Sequence, residues 1–370
     1  MLGPCFGFPT PIKAPIPFLK HVKTSPFLHQ RPRPHALQCS VKPSCYTSPR
    51  VGVIQLTGKD RLSFLHNQST NKFEGRQSGQ VVETTFTLPT GRVIDLATVL
   101  LRDSDALVLV SSNTVNELVE RFERYLFPAD EVRVSNNSDK FSLSWIFVGE
   151  GSANDARVEF EKDRMSYRGT SWVRGHFAIR NEGAQRTSMN IWGSGLSTPG
   201  FRILQSPAGS FNSDLDSDFQ MLSSAEFDQL RIMDGRPFSN NEFAKKWIVL
   251  EAGLWHTVSF QKGCYVGQET IAKLESRDGV NNWLVGLRGD NILKEGAVIT
   301  DKKDGAKVGV VTSSTTDKNG HGISLGYVKR KRGVAKPGTV LSVDGADVLV
   351  QDLPFATRTK EACADGEVRN

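Results

Sequence analysis

An α+β body followed by a small antiparallel β-barrel is the fold class this sequence predicts, and three observations carry it. Between residues 51 and 148, strand-type alternation is interleaved with two helical apolar stripes. From Trp283 to Phe355 the texture changes to short β runs at roughly ten-residue spacing, punctuated by glycine turns. The first 47 residues carry no periodic apolar face, so the folded part is expected to start after them.

Within the body, Val51-Gly-Val-Ile-Gln-Leu-Thr57 alternates as a strand, and Gly58-Lys-Asp60 opens a short helix with Leu62, Phe64 and Leu65 on its apolar side. Gln80 to Thr87 and Arg92 to Leu101 are β-rich and joined by the hairpin signal Pro89-Thr-Gly91. Ala106 to Val110 adds a strand. Asn113 to Phe127 places Val115, Leu118, Val119, Phe122, Leu126 and Phe127 on one helical stripe. Further strands fit Glu131 to Val134 and Phe141 to Val148. Residues 205 to 219 are rich in Ser, Asp and Gly and read as a surface loop. A capping box, Ser223-Ser-Ala-Glu226, starts a helix through Met233. In the barrel, Lys294-Glu-Gly296, Asp304-Gly305, Pro337-Gly338 and Asp344-Gly345 are the turns. The expected organisation is a leader at 1–47, a body at 48–280, a barrel at 281–356 and a polar tail at 357–370.

The chain carries 46 Lys+Arg against 40 Asp+Glu, a formal charge of +6. That excess is concentrated at one end. No Asp or Glu precedes Asp60, while residues 1–50 hold Lys13, Lys20, Lys23, Arg31, Arg33, Lys42 and Arg50 and ten of the 17 prolines. The remainder is close to neutral and offers no broad footprint for a phosphate backbone, so nucleic acid is not an expected partner. Proline density disfavours the amphipathic helix of a mitochondrial presequence and breaks up the apolar core of a secretory signal. A plastid transit peptide fits better, with processing near Leu37-Gln-Cys-Ser40 and the chloroplast stroma as destination; the mitochondrial matrix is the alternative. No apolar run reaches the roughly 18–20 residues of a membrane span, so no membrane partner is expected.

Of five cysteines, Cys5 and Cys39 fall in the leader, Cys45 next to it and Cys363 in the tail, leaving Cys264 in the body. One cysteine excludes a disulfide framework, and seven histidines without ligand spacing exclude a four-ligand zinc site. No stably bound metal is expected. Cys264 lies in Lys262-Gly-Cys-Tyr-Val-Gly-Gln-Glu269, where Gly263 and Gly267 suggest a turn or a close approach. Lys262 beside the thiol suggests thiolate chemistry. A tight turn around a buried cysteine is the plainer alternative.

That octapeptide resembles the signature of the YgfZ-type folate-binding proteins. These are iron–sulfur cluster maturation factors and a branch of the glycine-cleavage T-protein (aminomethyltransferase) superfamily. Gly58-Lys-Asp-Arg-Leu-Ser-Phe-Leu-His-Asn-Gln-Ser-Thr-Asn71 resembles the family's N-terminal strand-and-helix segment. Leu230-Arg-Ile-Met-Asp-Gly-Arg-Pro237, Leu250-Glu-Ala-Gly-Leu254 and the ending Leu353-Pro-Phe355 are similar too. The resemblance covers residues 51–356. It implies a T-protein-like ring around a central hole that receives tetrahydrofolate, with the cysteine loop nearby. It implies Cys264 and Lys262 as the working groups, and Asn71, Arg231, Gly263, Tyr265, Gly267, Gln268 and Glu269 around the folate. Gln268 and Glu269 suit a pterin's N–H edge and Arg231 its tail carboxylates; Glu269 alternatively caps a helix from Thr270.

Two departures bear on activity. Aminomethyltransferases of the superfamily end the N-terminal segment in Asn-Asp, with the aspartate assisting one-carbon transfer, whereas Asn71 is followed here by Lys72. A lysine cannot act as that carboxylate, although Glu74 stands two residues on. An arginine common after the signature is Lys273, which lacks the bidentate fork. The expected function is therefore a plastid tetrahydrofolate-binding factor for assembly or repair of [4Fe–4S] clusters. Its expected partners are iron–sulfur assembly proteins and client apo-enzymes, and Cys264 is a transient ligand or a redox or sulfur group. Enzymatic turnover stays open. The alternatives are a folate-dependent aminomethyl- or methyltransferase, and a tRNA-modification or RNA-binding accessory protein using Lys329-Arg-Lys-Arg332. His256 lacks an acidic neighbour in sequence and reads as structural, as do the six tryptophans.

Overall fold

Residues 44–48, 51–147, 175–182, 186–196, 198, 200–206 and 219–359 are described by the structure, a computed structural model. The expected leader before residue 44, most of the expected loop (207–218), Trp172, the tail beyond 359 and Cys5, Cys39 and Cys363 lie outside these residues.

The chain runs β1 (Ser44–Ser48), β2 (Gly52–Thr57), α1 (Arg61–Gln68), β3 (Gln80–Thr87), β4 (Val93–Leu101), β5 (Asp105–Val110), α2 (Val115–Arg124), β6 (Arg133–Asn136) and β7 (Ser142–Phe147). It continues through β8 (Gly175–Glu182), β9 (Arg186–Trp192), β10 (Gly200–Ser206), β11 (Gln220–Met221), α3 (Ser224–Asp234) and α4 (Gln268–Ser276). These strands form one 11-stranded sheet in the order β11-β1-β7-β10-β9-β8-β3-β4-β5-β2-β6. Strands β12 (Asn282–Gly289), β13 (Val298–Asp301), β14 (Lys307–Thr316), β15 (Gly322–Lys329), β16 (Val340–Val343) and β17 (Ala346–Gln351) close into a barrel in the order β12-β15-β14-β13-β16-β17. The α+β body with a closing antiparallel barrel is thus present.

Two boundaries shift. Strand β1 pairs antiparallel with β7 and parallel with β11, and Cys45 is fully buried, so residues 44–47 belong to the folded body rather than to a leader. Their partners lie about a hundred residues or more downstream, which local composition cannot reveal. Helix α2 stops at Arg124, leaving Phe127 71% exposed.

Strand alternation sets the two faces of the sheet around β3 and β4. Val82, Phe86, Ala97, Val99 and Leu101 share one core with Phe64 and Leu65 of α1 and Leu118 and Phe122 of α2. Each such side chain contributes about 1.5–3 kcal/mol on burial. Asp95, buried on the same side, accepts from Ser111 N at 2.7 Å and from Thr114 Oγ1 at 2.5 Å, which anchors the start of α2. The opposite face, with Val93 and Leu96, packs against the chain between Ile232 and Ile271.

The barrel has its own interior of Val285, Leu287, Ile299, Val308, Val311, Val328, Leu341 and Val343. Its outward Leu284, Leu325 and Tyr327 join the body core instead, which explains why β12 and β15 are apolar on both faces. Glu242, fully buried, is the polar centre of that contact. It accepts from Arg231 Nη1 at 2.8 Å, Phe238 N at 2.9 Å, Thr312 Oγ1 at 2.8 Å and Ser313 Oγ at 2.5 Å. Consecutive residues of a regular strand point to opposite faces; the register shift between Val311 and Ser313 aims both hydroxyls at one carboxylate. Trp247 stacks on Tyr327 at 3.9 Å beside it, and Trp283 lies under Arg330 and Arg358, each at 5.1 Å.

Candidate functional site

On β3, Glu83, Thr85 and Thr87 point to one face, and each meets a different part of the chain between residues 256 and 267. Glu83 Oε2 lies 3.4 Å from His256 Nε2, Thr85 Oγ1 lies 2.7 Å from Thr257 Oγ1, and Thr87 Oγ1 donates to Val266 O at 2.7 Å. The same loop is stitched to the end of α1. Thr70 Oγ1 donates to Thr257 O at 2.7 Å, Ser259 N to Thr70 O at 3.0 Å and Val266 N to Asn67 O at 3.2 Å. The segments Gly58–Asn71 and Lys262–Glu269, far apart in sequence, are therefore one structural unit.

Lys262 is the clamp of that unit. Its Nζ donates to Ser69 O at 2.7 Å, to Asn71 O at 2.8 Å and to His66 O. Helix α1 leaves carbonyls unsatisfied at its C-terminal end, where a cation is also favoured by the dipole. An ammonium has three donors, one for each carbonyl. Burial pulls Lys262 down to about 7, opposed by Glu74, while the three carbonyl acceptors favour its charged form. The ammonium also sits 4.7 Å from the Tyr265 ring centroid.

Cys264 is exposed at the tip of the loop. Beside it, a methyl group added at Gly263 would meet only His66 Nε2, at 3.9 Å, among the described residues. Packing therefore does not require glycine there, and the position leaves open space next to the thiol. Gly267 is the opposite case. Its φ is +89°, and an added Cβ would lie 2.6 Å from Thr87 Oγ1 and 2.8 Å from Leu88 O. Gly267→Ala is expected to cost about 3 kcal/mol, from strain plus overlap, and Gly263→Ala under about 1 kcal/mol. Thermal denaturation of the two variants checks the contrast.

The remaining expected site residues divide. Asn71 is half-buried with its amide turned to backbone: Nδ2 donates to Glu83 O at 2.7 Å and Oδ1 accepts from Lys72 N at 2.8 Å. Tyr265 packs its ring in the core with Ile271, and burial pushes its hydroxyl pKa up. Gln268 Oε1 accepts from Tyr265 N at 3.3 Å, closing the turn into α4. Glu269 is exposed in the first turn of α4, whose N-cap is Gly267 and which has no side-chain cap. Arg231 requires correction. It is 4% exposed, and it donates to Asp228, Glu242, Arg236 O and Ser313 Oγ, so its carboxylate partners are the protein's own. A paired arginine inside a domain contact looks, in sequence, like one waiting for a ligand.

The fold assembles a second polar cluster that sequence reading missed. Glu83 is 3% exposed; its Oε1 accepts from Arg236 Nη2 at 2.8 Å. Across the β3–β4 pair, Thr98 accepts from the buried Arg202 Nη1 at 3.0 Å. Arg236 also donates to Gly195 O at 2.9 Å and lies 4.8 Å over Phe355. Burial opposes the charge on Glu83, but Arg236, with His256 and Arg202 behind it, draws its carboxyl down to about 2. Stability from this group is present above the ordinary carboxylate range and lost as pH falls towards 2. Burial pulls Arg202 down to about 10, against Glu83. Among the described residues Glu83 Oε2, Arg202 Nη2 and His256 Nε2 of this cluster have no hydrogen-bond partner; the His256–Glu83 approach is misaligned at 3.4 Å. His256 thus has an acidic neighbour supplied by the fold. The available signal was a glutamate inside the otherwise apolar and β-branched run Val81–Thr87.

The basic run is largely engaged. Arg330 pairs with Asp278 at 2.7 Å, Arg332 with Asp304 and with Asp301 at 3.6 Å, and Lys329 Nζ donates to Lys307 O at 3.2 Å. Among the described residues no group of three or more His, Cys, Asp or Glu could hold a metal ion, and no helix is long and apolar enough to cross a membrane.

No protein-family model matches the chain. A chloroplastic protein of Arabidopsis thaliana named as a transferase is 35% identical over 316 residues, spanning 83% of this chain and 70% of that protein. An aminomethyltransferase of Chloroherpeton thalassium is 24% identical over 329 residues, spanning 84% of this chain and 86% of that protein. Among solved structures, the glycine cleavage system aminomethyltransferase T of Bartonella henselae matches with a TM-score of 0.68 at 17% identity, over 86% of this chain and 87% of that one. The body and barrel together have that fold, as the sequence predicts.

Proposed function

Because the chain belongs to the aminomethyltransferase-like superfamily of the glycine-cleavage T-proteins, we propose that it is a plastid factor of the YgfZ type. In this reading it binds tetrahydrofolate and supports assembly or repair of [4Fe–4S] clusters through Cys264. One observation carries it: an exposed thiol on a loop that Lys262 pins to α1; the Asn71-Lys72 pair, which the resemblance sets against the transferases' Asn-Asp, agrees with it. A single thiolate contributes one iron–sulfur ligand, so assembly proteins and client apo-enzymes would complete the set in trans. The chloroplastic Arabidopsis relative and the acid-free, proline-rich first 50 residues support a plastid, with the stroma as the compartment of this reading.

The residues present fit a folate. A pterin edge needs an acceptor for its amino and ring N–H groups and a donor for its carbonyl. Glu83 Oε2 and Arg202 Nη2 are a buried acceptor and donor in one cluster without a hydrogen-bond partner among the described residues, so these two would hold it. When bound, tetrahydrofolate supplies N5 and N10 as one-carbon acceptors. Arg236 keeps Glu83 ionised for this task, and Lys262 holds the cysteine loop in place.

Calorimetric titration with tetrahydrofolate should find equal binding to wild type and Cys264→Ser, and at least about tenfold weaker binding to Glu83→Gln. In a complementation assay of cluster-enzyme activity, Cys264→Ser should fail. Full rescue would remove the thiol from the function, and absent binding would remove the folate.

A folate-dependent aminomethyltransferase is the second reading, favoured by one contact: Glu74 Oε2 lies 3.9 Å from His66 Nε2 and acts on Lys262, which brings a carboxylate to the clamp of the cysteine loop despite Lys72. Formation of 5,10-methylene-tetrahydrofolate from a carrier-bound aminomethyl group, lost in Glu74→Gln, would establish it.

A further inference from the structure

His66 is 2% exposed, yet one end of its ring is not committed to the protein interior. Its Nδ1 accepts from Phe73 N and Glu74 N, both at 3.4 Å. A nitrogen that accepts carries no proton, so the neutral ring holds its hydrogen on Nε2. Burial, reinforced by Lys262, lowers the pKa of His66 and keeps the ring neutral. No hydrogen bond leaves Nε2 among the described residues; Glu74 Oε2, at 3.9 Å, is beyond hydrogen-bond range. This nitrogen faces the opening at Gly263, where an added methyl would lie 3.9 Å away. Cys264 follows one peptide unit later, about 3.8 Å along the chain.

We propose that His66 is a positioning residue for Cys264: its Nε2–H donates a hydrogen bond to the cysteine sulfur when that sulfur is anionic, and so sets how readily the thiol reacts. This rests on the reading of Cys264 as the working group. The parts divide the task. Lys262 spends its three donors on carbonyls and fixes the loop, including the His66 carbonyl itself. It has no donor left for sulfur. The imidazole N–H is a donor at the opening, and among the described residues its nitrogen is the atom that a side chain at residue 263 would meet.

Two substitutions separate a donor at the site from a merely structural ring. Asparagine places an oxygen near Nδ1, keeping an acceptor for Phe73 N and Glu74 N, and has nothing at Nε2. Glutamine reaches the Nε2 position with an N–H and abandons the Nδ1 acceptor. The measurement is the rate at which Cys264 of the purified full chain is alkylated by iodoacetamide, with displacement of iodide, at fixed pH. His66→Asn should slow alkylation about tenfold, and His66→Gln should stay within about threefold of wild type. Circular dichroism and thermal denaturation establish that both variants fold. The reverse order, or equal rates in all three folded proteins, would overturn the proposal. Because the readout is thiol reactivity alone, it stands apart from folate binding and from cluster assembly: loss of the functional reading would leave the alkylation result intact, and the converse holds.

Discussion

Glu242→Ala should destabilise the protein by about 3–5 kcal/mol, the range for breaking a buried ion pair, and lower the melting temperature by on the order of 10 °C. The carboxylate is fully buried and accepts from four donors on two parts of the molecule. Its removal takes the buried carboxylate from Arg231, which is itself 4% exposed, and the acceptor from Ser313 Oγ, while Thr312 Oγ1 still has Leu325 O at 3.2 Å. Asp228 retains the Nε of Arg231 at 2.6 Å, so the guanidinium is not left wholly unpaired. The contact joins barrel to body, and a second unfolding transition for the barrel is therefore expected in chemical denaturation. Adding Ser313→Ala to Glu242→Ala should cost less than the sum of the single changes, because both act on one network. Strict additivity would show that the carboxylate and hydroxyl do not cooperate.

Lys262→Met should produce the larger functional loss. Folding stability falls by about 2 kcal/mol, the scale of hydrogen bonds to a charged group, since water can reach part of the exposed rim. The cysteine loop, however, loses the tie that fixes it to the end of α1, so complementation should fail although Cys264 is still present. Lys262→Arg should recover little. A planar guanidinium cannot direct three donors at the converging carbonyls of His66, Ser69 and Asn71. Limited proteolysis between residues 258 and 268 and the complementation assay measure both effects. Wild-type activity in Lys262→Met would assign the lysine a purely incidental place.

These two expectations draw on different kinds of legibility. Elements made by local rules were readable: the capping box at Ser223 and Glu226, the β-rich run Gln80–Thr87, and the glycine turns of the barrel, where Gly296, Gly305, Gly338 and Gly345 all have positive φ. Strand β1 was hidden, because a five-residue segment in proline-rich surroundings is a strand only by virtue of β7 and β11. In the candidate site, the signature located Cys264 and Lys262, and Gly267 is required for the backbone reason that glycine suggested. Residue type could not say whether an arginine is spent or waiting. Arg231 meets Glu242, whereas Arg202, which no motif marked, has an N–H beside Glu83 without a hydrogen-bond partner among the described residues.

The sequence by itself determined the order and type of most elements, the demand for glycine at residue 267, and the presence of a cysteine in a specific octapeptide. Those follow from φ/ψ limits, side-chain periodicity and counting, all of which act over a few residues. Only the tertiary structure decided which charges are paired. It brought Glu83 to Arg236 and His256, Lys262 to the carbonyls of residues 66, 69 and 71, and His66 to the opening beside Cys264. Electrostatic and hydrogen-bond energies depend on distance and desolvation, which are fixed when separated segments pack together and are not encoded in any one of them.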